Sequence, residues 1–448
     1  MRRRRWLPRI AVGLVVLLAV ALVGGYWYAR PLLLTGTGYA AHNACAVQLV
    51  AGRDDPQADL PPNPLVPYLR TSAPDGDRLH ASVLGVLARQ QAAYTAGFGC
   101  TLGGEPGAPG SATAVTSATN PFPAAAAPTP APEVSAALDR AFGADLPDAD
   151  RTALGTRGVV VVKGGRVLAE RYAPGFTAET PQLGWSMTKS VANLLTGRLV
   201  QQGKVAVTDA RLRPEWTDER ARITVEDLMR MRSGLEWDET YALGTPITRM
   251  LYLEDDMAGY VASRPLAHPV GTWQQYSSGS TNVLCSVLTQ RAGVTADLPR
   301  RELFAPLGLT SAVLEPDAAG TPVCSSYLWA TPRDWAAVGQ FALQDGVWGG
   351  QRLLPVGWMK RSTTVLPGSG EEKGYAAGWW VNREADGTLV DPVLPADAYW
   401  MSGHDGQKVV VVPSADLVVA RLGFSPTIED DAGLRVSTLV RDPVAATR

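Results

Sequence analysis

Hydrophobic and polar positions along the chain fall into three patterns. The first is an apolar run from Ile10 to Ala29 with no charged residue. As a helix, such a run of about 20 residues spans about 30 Å, the thickness of a bilayer core. Arg2 to Arg5 and Arg9 precede it, and Tyr26-Trp27-Tyr28 closes it. Basic residues before the run and an aromatic belt after it predict a transmembrane anchor over residues 10–29. Residues 1–9 would then be a cytoplasmic basic tail, and everything beyond Arg30 would be exported. Ala19-Val20-Ala21 keeps a cleaved signal peptide open as the alternative.

The second pattern is β-rich. Gly158–Val162 and Arg166–Tyr172 are joined through Lys163-Gly164-Gly165, a hairpin signal. Four more strand-like runs come late: Tyr375–Val381, Ala398–Ser402, Gln407–Val412 and Leu417–Leu422. The third pattern is helical and lies between them. Val191, Leu194, Leu195 and Leu199 make one apolar face, stopped by Gly203. Further helices are predicted over Thr224–Arg232, Ser278–Arg291 and Thr331–Gln344, and Val83–Tyr94 also has helical character. Strands at both ends with helices between predict an α+β domain. Its antiparallel sheet would be built from N- and C-terminal strands, with helices on its faces and a helical lobe.

Composition adds boundaries. Ala, Pro, Gly, Ser and Thr dominate residues 105–132, which read as a linker. An exported segment, 30–104, would precede it and a domain over 133–448 would follow. A net charge of −2, with no basic stripe beyond the first nine residues, excludes nucleic acid as an expected partner. The four cysteines form no Cys-x-x-Cys, the four histidines are scattered, and no His-Glu-x-x-His occurs. No metal site or cofactor is expected. Export permits disulfides. Cys45 and Cys100 are the expected pair, stapling a segment too small to hold itself together. Cys285 and Cys324 are left open between a pair and two buried thiols.

Chemistry enters at Gly184-Trp185-Ser186-Met187-Thr188-Lys189-Ser190. A serine and a lysine three apart on a helix share one face, so the amine can serve the hydroxyl as a base. Alone, the pair fits a helix cap and a surface lysine equally well. Downstream stands Tyr276-Ser277-Ser278, whose phenol could relay protons with the lysine. Further on comes Ser402-Gly403-His404-Asp405-Gly406-Gln407, a glycine-flanked turn leading into a strand, where a backbone N–H could face an oxyanion.

In this order the three motifs resemble the serine β-lactamase/penicillin-binding-protein superfamily. Within it they are most similar to the class C β-lactamase-like hydrolases of the 6-aminohexanoate-dimer hydrolase group. Met231-Arg232-Ser233-Gly234-Leu235, Asp238-Glu239-Thr240-Tyr241 and Ser325-Ser326-Tyr327 extend the likeness over most of residues 150–425.

The resemblance implies a β-lactamase/transpeptidase-like fold. It also implies an acylated nucleophile at Ser186, a base system of Lys189 and Tyr276, and an oxyanion hole from the backbone N–H groups of Ser186 and Gln407. Trp185, Tyr241, Ser278, His404 and Gly406 would line the substrate pocket, with Tyr241 matching a tyrosine that contacts the scissile amide in the nylon-oligomer hydrolases.

Two departures stand out: Ser278 replaces an asparagine, and His404-Asp405-Gly406 replaces Lys-Thr-Gly. Both lost groups hold the β-lactam amide and carboxylate. Hydrolysis of a small ester or amide, at the outer face of a membrane, is therefore expected over efficient β-lactam cleavage. A non-catalytic or peptidoglycan-binding relative is the alternative. An α/β-hydrolase is not, because no Gly-x-Ser-x-Gly occurs.

Overall fold

The computed structural model describes residues 6–103, 110–123, 129–371, 373–428, 430 and 432–446. Arg2 to Arg5 lie outside them. The first helix, α1 (Trp6–Cys45), is twice as long as the apolar run alone requires. Residues 10–25 are exposed, whereas Ala40, Ala41 and Ala44 are buried. The same helix thus leaves its apolar run uncovered and ends inside a folded segment.

Four short strands cover that buried end: β1 (Leu69–Thr71), β2 (Arg78–Val83), β3 (Leu87–Thr95) and β4 (Gly99–Leu102), paired in chain order. Val83–Tyr94 is therefore a hairpin and not the expected helix. Leu84, Gly85 and Ala88 all have positive φ, which no α-helix permits. Pairing with β2 and packing against α1 outweigh the weak helical preference of Ala-Arg-Gln-Gln-Ala-Ala. Cys45 is bonded to Cys100 on β4, as expected.

The segment is joined to the main domain by buried charge. Glu315 is fully buried. It accepts from the backbone N–H of Cys100 at 2.7 Å and from Trp329 Nε1 at 3.1 Å, and it lies 3.0 Å from His42 Nε2. Asp59 sits between Arg53 and Arg157, each 2.5 Å away. Burial alone would raise the Asp59 pKa, but the two guanidinium groups hold it below the usual carboxylate value. The described part of the 105–132 stretch is also anchored. Thr113 bonds Asp297, Asn120 bonds Asp334, and Phe122 is buried in the core. Its low-complexity composition hid these three contacts.

The main domain is built on a six-stranded antiparallel sheet. Its strands are β5 (Thr156–Lys163), β6 (Arg166–Tyr172), β7 (Trp380–Val381), β8 (Tyr399–Gly403), β9 (Gln407–Val412) and β10 (Leu417–Gly423). Their order is β7-β8-β9-β10-β5-β6, so the two ends of the domain meet where β10 pairs with β5. Both faces are covered, which explains the unbroken valine runs. Val160, Val162, Val409 and Val411 face one core, and Val159, Val161, Val410 and Val412 face the other. Helices α2 (Pro132–Ala141) and α6 (Val436–Ala446) pack on the second face. On the first lies α5 (Pro332–Leu343), and α3 (Thr188–Gln201) and α4 (Ser278–Ala292) pack together in the same core. Cys285 on α4 is bonded to Cys324, which settles the pair left open.

Replacing Glu315 by Ala strands the Trp329 N–H and the His42 ring in the interior. A loss of about 3–5 kcal/mol is expected, with faster amide exchange across residues 69–102 than across β9 and β10. Equal protection of both regions would contradict the role given to this carboxylate.

Candidate active site

Ser186 sits in a 3-10 turn, Trp185–Met187, immediately before α3. The turn is forced. Trp185 has φ +47°, a left-handed conformation that costs a bulky residue about 1–3 kcal/mol. Gly184 lies against Trp335, where an added Cβ would come 2.1 Å from the indole. Only glycine fits there. From the other side the β8–β9 turn closes in, and a Cβ on Gly403 would sit 2.1 Å from the Gly184 carbonyl oxygen.

Helix α3 is buried on nearly every side, which carries Lys189 into the interior. Its amine lies 2.8 Å from Ser186 Oγ. It donates to Ser278 Oγ at 2.9 Å and to the Ser325 carbonyl at 3.1 Å. Burial lowers the Lys189 pKa to about 8, against the pull of Glu239, which raises it. The number of partners matters. A neutral amine has two N–H donors and one lone pair, so Ser278 and Ser325 can take the donors and leave the lone pair for the Ser186 hydroxyl.

Tyr276 flanks the pair. The amine sits 4.8 Å from the centre of its ring. Burial pushes the phenol well above its ordinary pKa, and a hydrogen-bond interaction with Ser186 opposes that only in part. Tyr375 and Trp380 pack on the ring at 5.3 Å and 5.6 Å and fix its plane.

Ser186, Lys189 and Tyr276 are thus brought together. Trp185, Tyr241 and His404 form an aromatic cluster beside them. Tyr241 stacks on His404 at 4.5 Å, and Trp185 meets both rings edge-on. Two expected pocket residues lie elsewhere. Ser278 is fully buried and donates at 2.5 Å to Glu239, so it belongs to the lysine's support and not to a pocket wall. Gly406 faces inward, and its carbonyl accepts from the buried Arg421 at 2.6 Å. Gln407 is locked in the same turn, exchanging amide hydrogen bonds with the Gly423 backbone at 2.6 Å and 3.0 Å.

Glu239 is the residue that sequence reasoning missed. It accepts from the Ser278 backbone N–H at 2.9 Å and from Trp237 Nε1 at 2.6 Å, and its carboxylate is 4.0 Å from Lys189 Nζ. Its place two positions before Tyr241 was the available signal, but nothing local shows that this loop folds back onto α4.

Strands from both ends of the domain, helices between them, and a serine beside a buried lysine define the class: a serine hydrolase of α+β architecture. Residues 144–433 match the Beta-lactamase family, and the chain belongs to it. Among curated relatives, a 6-aminohexanoate-dimer hydrolase of Paenarthrobacter ureafaciens is 24% identical over 305 residues, covering 60% of this chain and 73% of that protein. Similar solved structures include a penicillin-binding protein homologue from Caulobacter crescentus. It has a TM-score of 0.55 at 19% identity, over 72% of this chain and 100% of that one. A family VIII carboxylesterase has a TM-score of 0.54 at 18% identity, over 70% and 99%. The fold is therefore the β-lactamase/transpeptidase-like one, and the reaction is of the serine-hydrolase type typical of this family.

The Lys189 environment can be tested without substrate. Glu239→Gln removes the charge that raises the lysine's pKa, so the pKa should fall further below about 8. Titration of the lysine side-chain carbons by NMR reads this directly. An unchanged or raised value would remove Glu239 from the lysine's electrostatics.

Proposed function

We propose that the chain is a membrane-anchored hydrolase that cleaves a small ester or amide through an acyl intermediate on Ser186. One observation carries the reading: the nucleophile candidate lies 2.8 Å from a fully buried amine whose pKa is near 8. Such an amine is partly neutral at physiological pH and can accept a proton. In acylation, Ser186 Oγ attacks the carbonyl carbon and its proton passes to Lys189 Nζ. The phenol of Tyr276, held protonated by burial, gives its proton to the leaving oxygen or nitrogen and recovers one from Lys189. Water then attacks the acyl carbon, its proton returns through the same groups, and Ser186 is restored. The backbone N–H groups of Ser186 and Gln407 hold the oxyanion.

Esters and amides are favoured over β-lactams because the groups of the β-lactam site are replaced. Ser278 is committed to Lys189 and Glu239, and His404 is stacked on Tyr241. The name of the Paenarthrobacter relative, a 6-aminohexanoate-dimer hydrolase, agrees with this class.

Anchoring is supported by more than the apolar run. The tip of the β2–β3 hairpin exposes Leu84, Val86 and Leu87, at 59%, 78% and 37%. The Ala88 backbone N–H beside it donates to Tyr26 Oη at 3.2 Å. An exposed apolar tip therefore adjoins the end of the apolar helix, where a bilayer surface would be. Arg30 lies 5.3 Å from the Trp27 ring at the same level. Two disulfides fit an oxidising, extracytoplasmic location for the domain.

With a short-chain p-nitrophenyl ester, turnover should rise with pH through about 8 as Lys189 loses its proton. Ser186→Ala should lose at least about a thousandfold. Equal rates for the two chains, with no acyl adduct on Ser186 by mass spectrometry, would refute the acyl-enzyme. For the anchor, an NBD label on Val86→Cys in lipid nanodiscs should be quenched by doxyl lipid, and the same label on Val356→Cys, at a position 82% exposed on the catalytic domain, should not. Equal quenching at both positions, or at neither, would refute the hairpin's contact.

A further inference from the structure

The N-terminal segment does more than precede the catalytic domain, because it supplies most of one wall of a cavity beside the candidate nucleophile. The cavity holds about 250 Å³. Its N-terminal wall comes from Tyr39 on α1, from Leu60 and Leu65 in the stretch leading into β1, and from Leu69 at the start of β1. The catalytic domain closes it with Tyr241, Leu243, Thr248, Tyr252 and His404.

Most of the lining is apolar, with Thr35, Asn63, Thr248 and Thr427 set among it, and Tyr241 and His404 bring it to the Ser186 cluster. Tyr241 and His404 both touch Trp185, the residue next to Ser186, at 6.2 Å and 5.7 Å between rings. Tyr39 reaches the same indole from the other side, at 6.0 Å, while stacking on Tyr252 at 5.0 Å. The Tyr241–His404 stack is therefore shared by the cavity and the Ser186 cluster, and His404, with 36% of its side chain accessible, is not sealed in.

The segment is not free to drift away from this wall. The Cys45–Cys100 bond staples the segment internally, and the Glu315 contacts and the Asp59 pair with Arg157 hold it on the domain. Close approach is built in as well. Gly36 faces Leu65 where a Cβ would come within 2.3 Å, and Gln90 Nε2 donates to the Tyr252 carbonyl at 2.9 Å.

A volume of 250 Å³ is small for a whole ligand but suits one arm of it, since complete small-molecule sites run to about 300–1,000 Å³. A mostly apolar lining that meets the Ser186 cluster at Tyr241 and His404 selects an apolar group attached to the reacting carbonyl. We infer that this cavity is the acyl subsite: it receives the hydrocarbon portion of the acyl group, and the N-terminal segment sets acyl-chain preference. This rests on the acyl-serine reading above and extends it to substrate class, namely esters or amides of short aliphatic acids.

The test compares acetyl, butyryl and hexanoyl p-nitrophenyl esters on the full chain and its variants in the same nanodiscs. In the wild type, kcat/KM should rise roughly fourfold per methylene up to butyryl, in line with transfer of hydrocarbon into an apolar site. Leu65→Trp and Leu243→Trp fill the cavity, and each should reduce the butyryl-to-acetyl ratio at least about fivefold while acetyl turnover continues. Leu65→Ala enlarges it and should favour hexanoyl. Ratios that stay the same in all three variants would overturn the subsite while leaving the acyl-enzyme standing.

Occupancy is also read without turnover, by saturation-transfer NMR of 1-hexanol on the Ser186→Ala chain. Saturable binding that Leu65→Trp abolishes supports the subsite even if no ester is cleaved. Absence of any difference between those two chains overturns it.

Discussion

An amine inside a protein core is costly as a cation, and this constraint organises the site. Lys189 is carried into the interior because α3 is buried almost all round. Desolvation favours its neutral form and Glu239 favours its charged form, leaving a pKa near 8. The balance needs several elements at once. Ser278 on α4 bridges the amine to Glu239, and the Ser325 carbonyl takes a second N–H. The disulfide from Cys285, seven residues along α4, to Cys324 ties the helix to the chain next to Ser325. Removing the burial would return the lysine to an ordinary surface cation, whatever the spacing of the motif.

The strained turn before α3 belongs to the same constraint. A left-handed tryptophan persists only where its surroundings over-determine it. Gly184 against Trp335 and Gly403 against the Gly184 carbonyl supply that determination. Trp185 in turn contacts Tyr39, Tyr241 and His404. One residue therefore links the nucleophile candidate, the β8–β9 turn and the N-terminal segment. That segment, stapled internally by its disulfide, is fastened by two sets of buried charges, which makes it a wall of the catalytic domain and not an appendage.

Much of this was legible along the chain. The strands flanking the helical middle and the helices beginning near Ser278 and Thr331 were read correctly, because each has a local chemical signal, and the order of the Ser186, Lys189 and Tyr276 motifs pointed to the family that residues 144–433 match. The β2–β3 hairpin was misread because its helix-forming residues gain more from pairing and from packing on α1 than from their own propensity. The stretch before α2 looked like a plain linker because three anchoring side chains disappear in a composition average. Glu239 and the inward-facing Gly406 could not be placed, since their roles depend on partners far away in sequence.

What the sequence determined by itself was therefore periodicity, turn chemistry and the set of reactive groups. Valines in unbroken runs demanded a sheet covered on both faces, and a serine three residues before a lysine put the two side chains on one face. The tertiary structure decided how dry the lysine is, which carboxylate stands 4.0 Å from it, and that residues from α1 to β1 enclose the space beside His404. Burial and long-range electrostatics depend on what surrounds a group in three dimensions, and that is settled only when distant segments pack together.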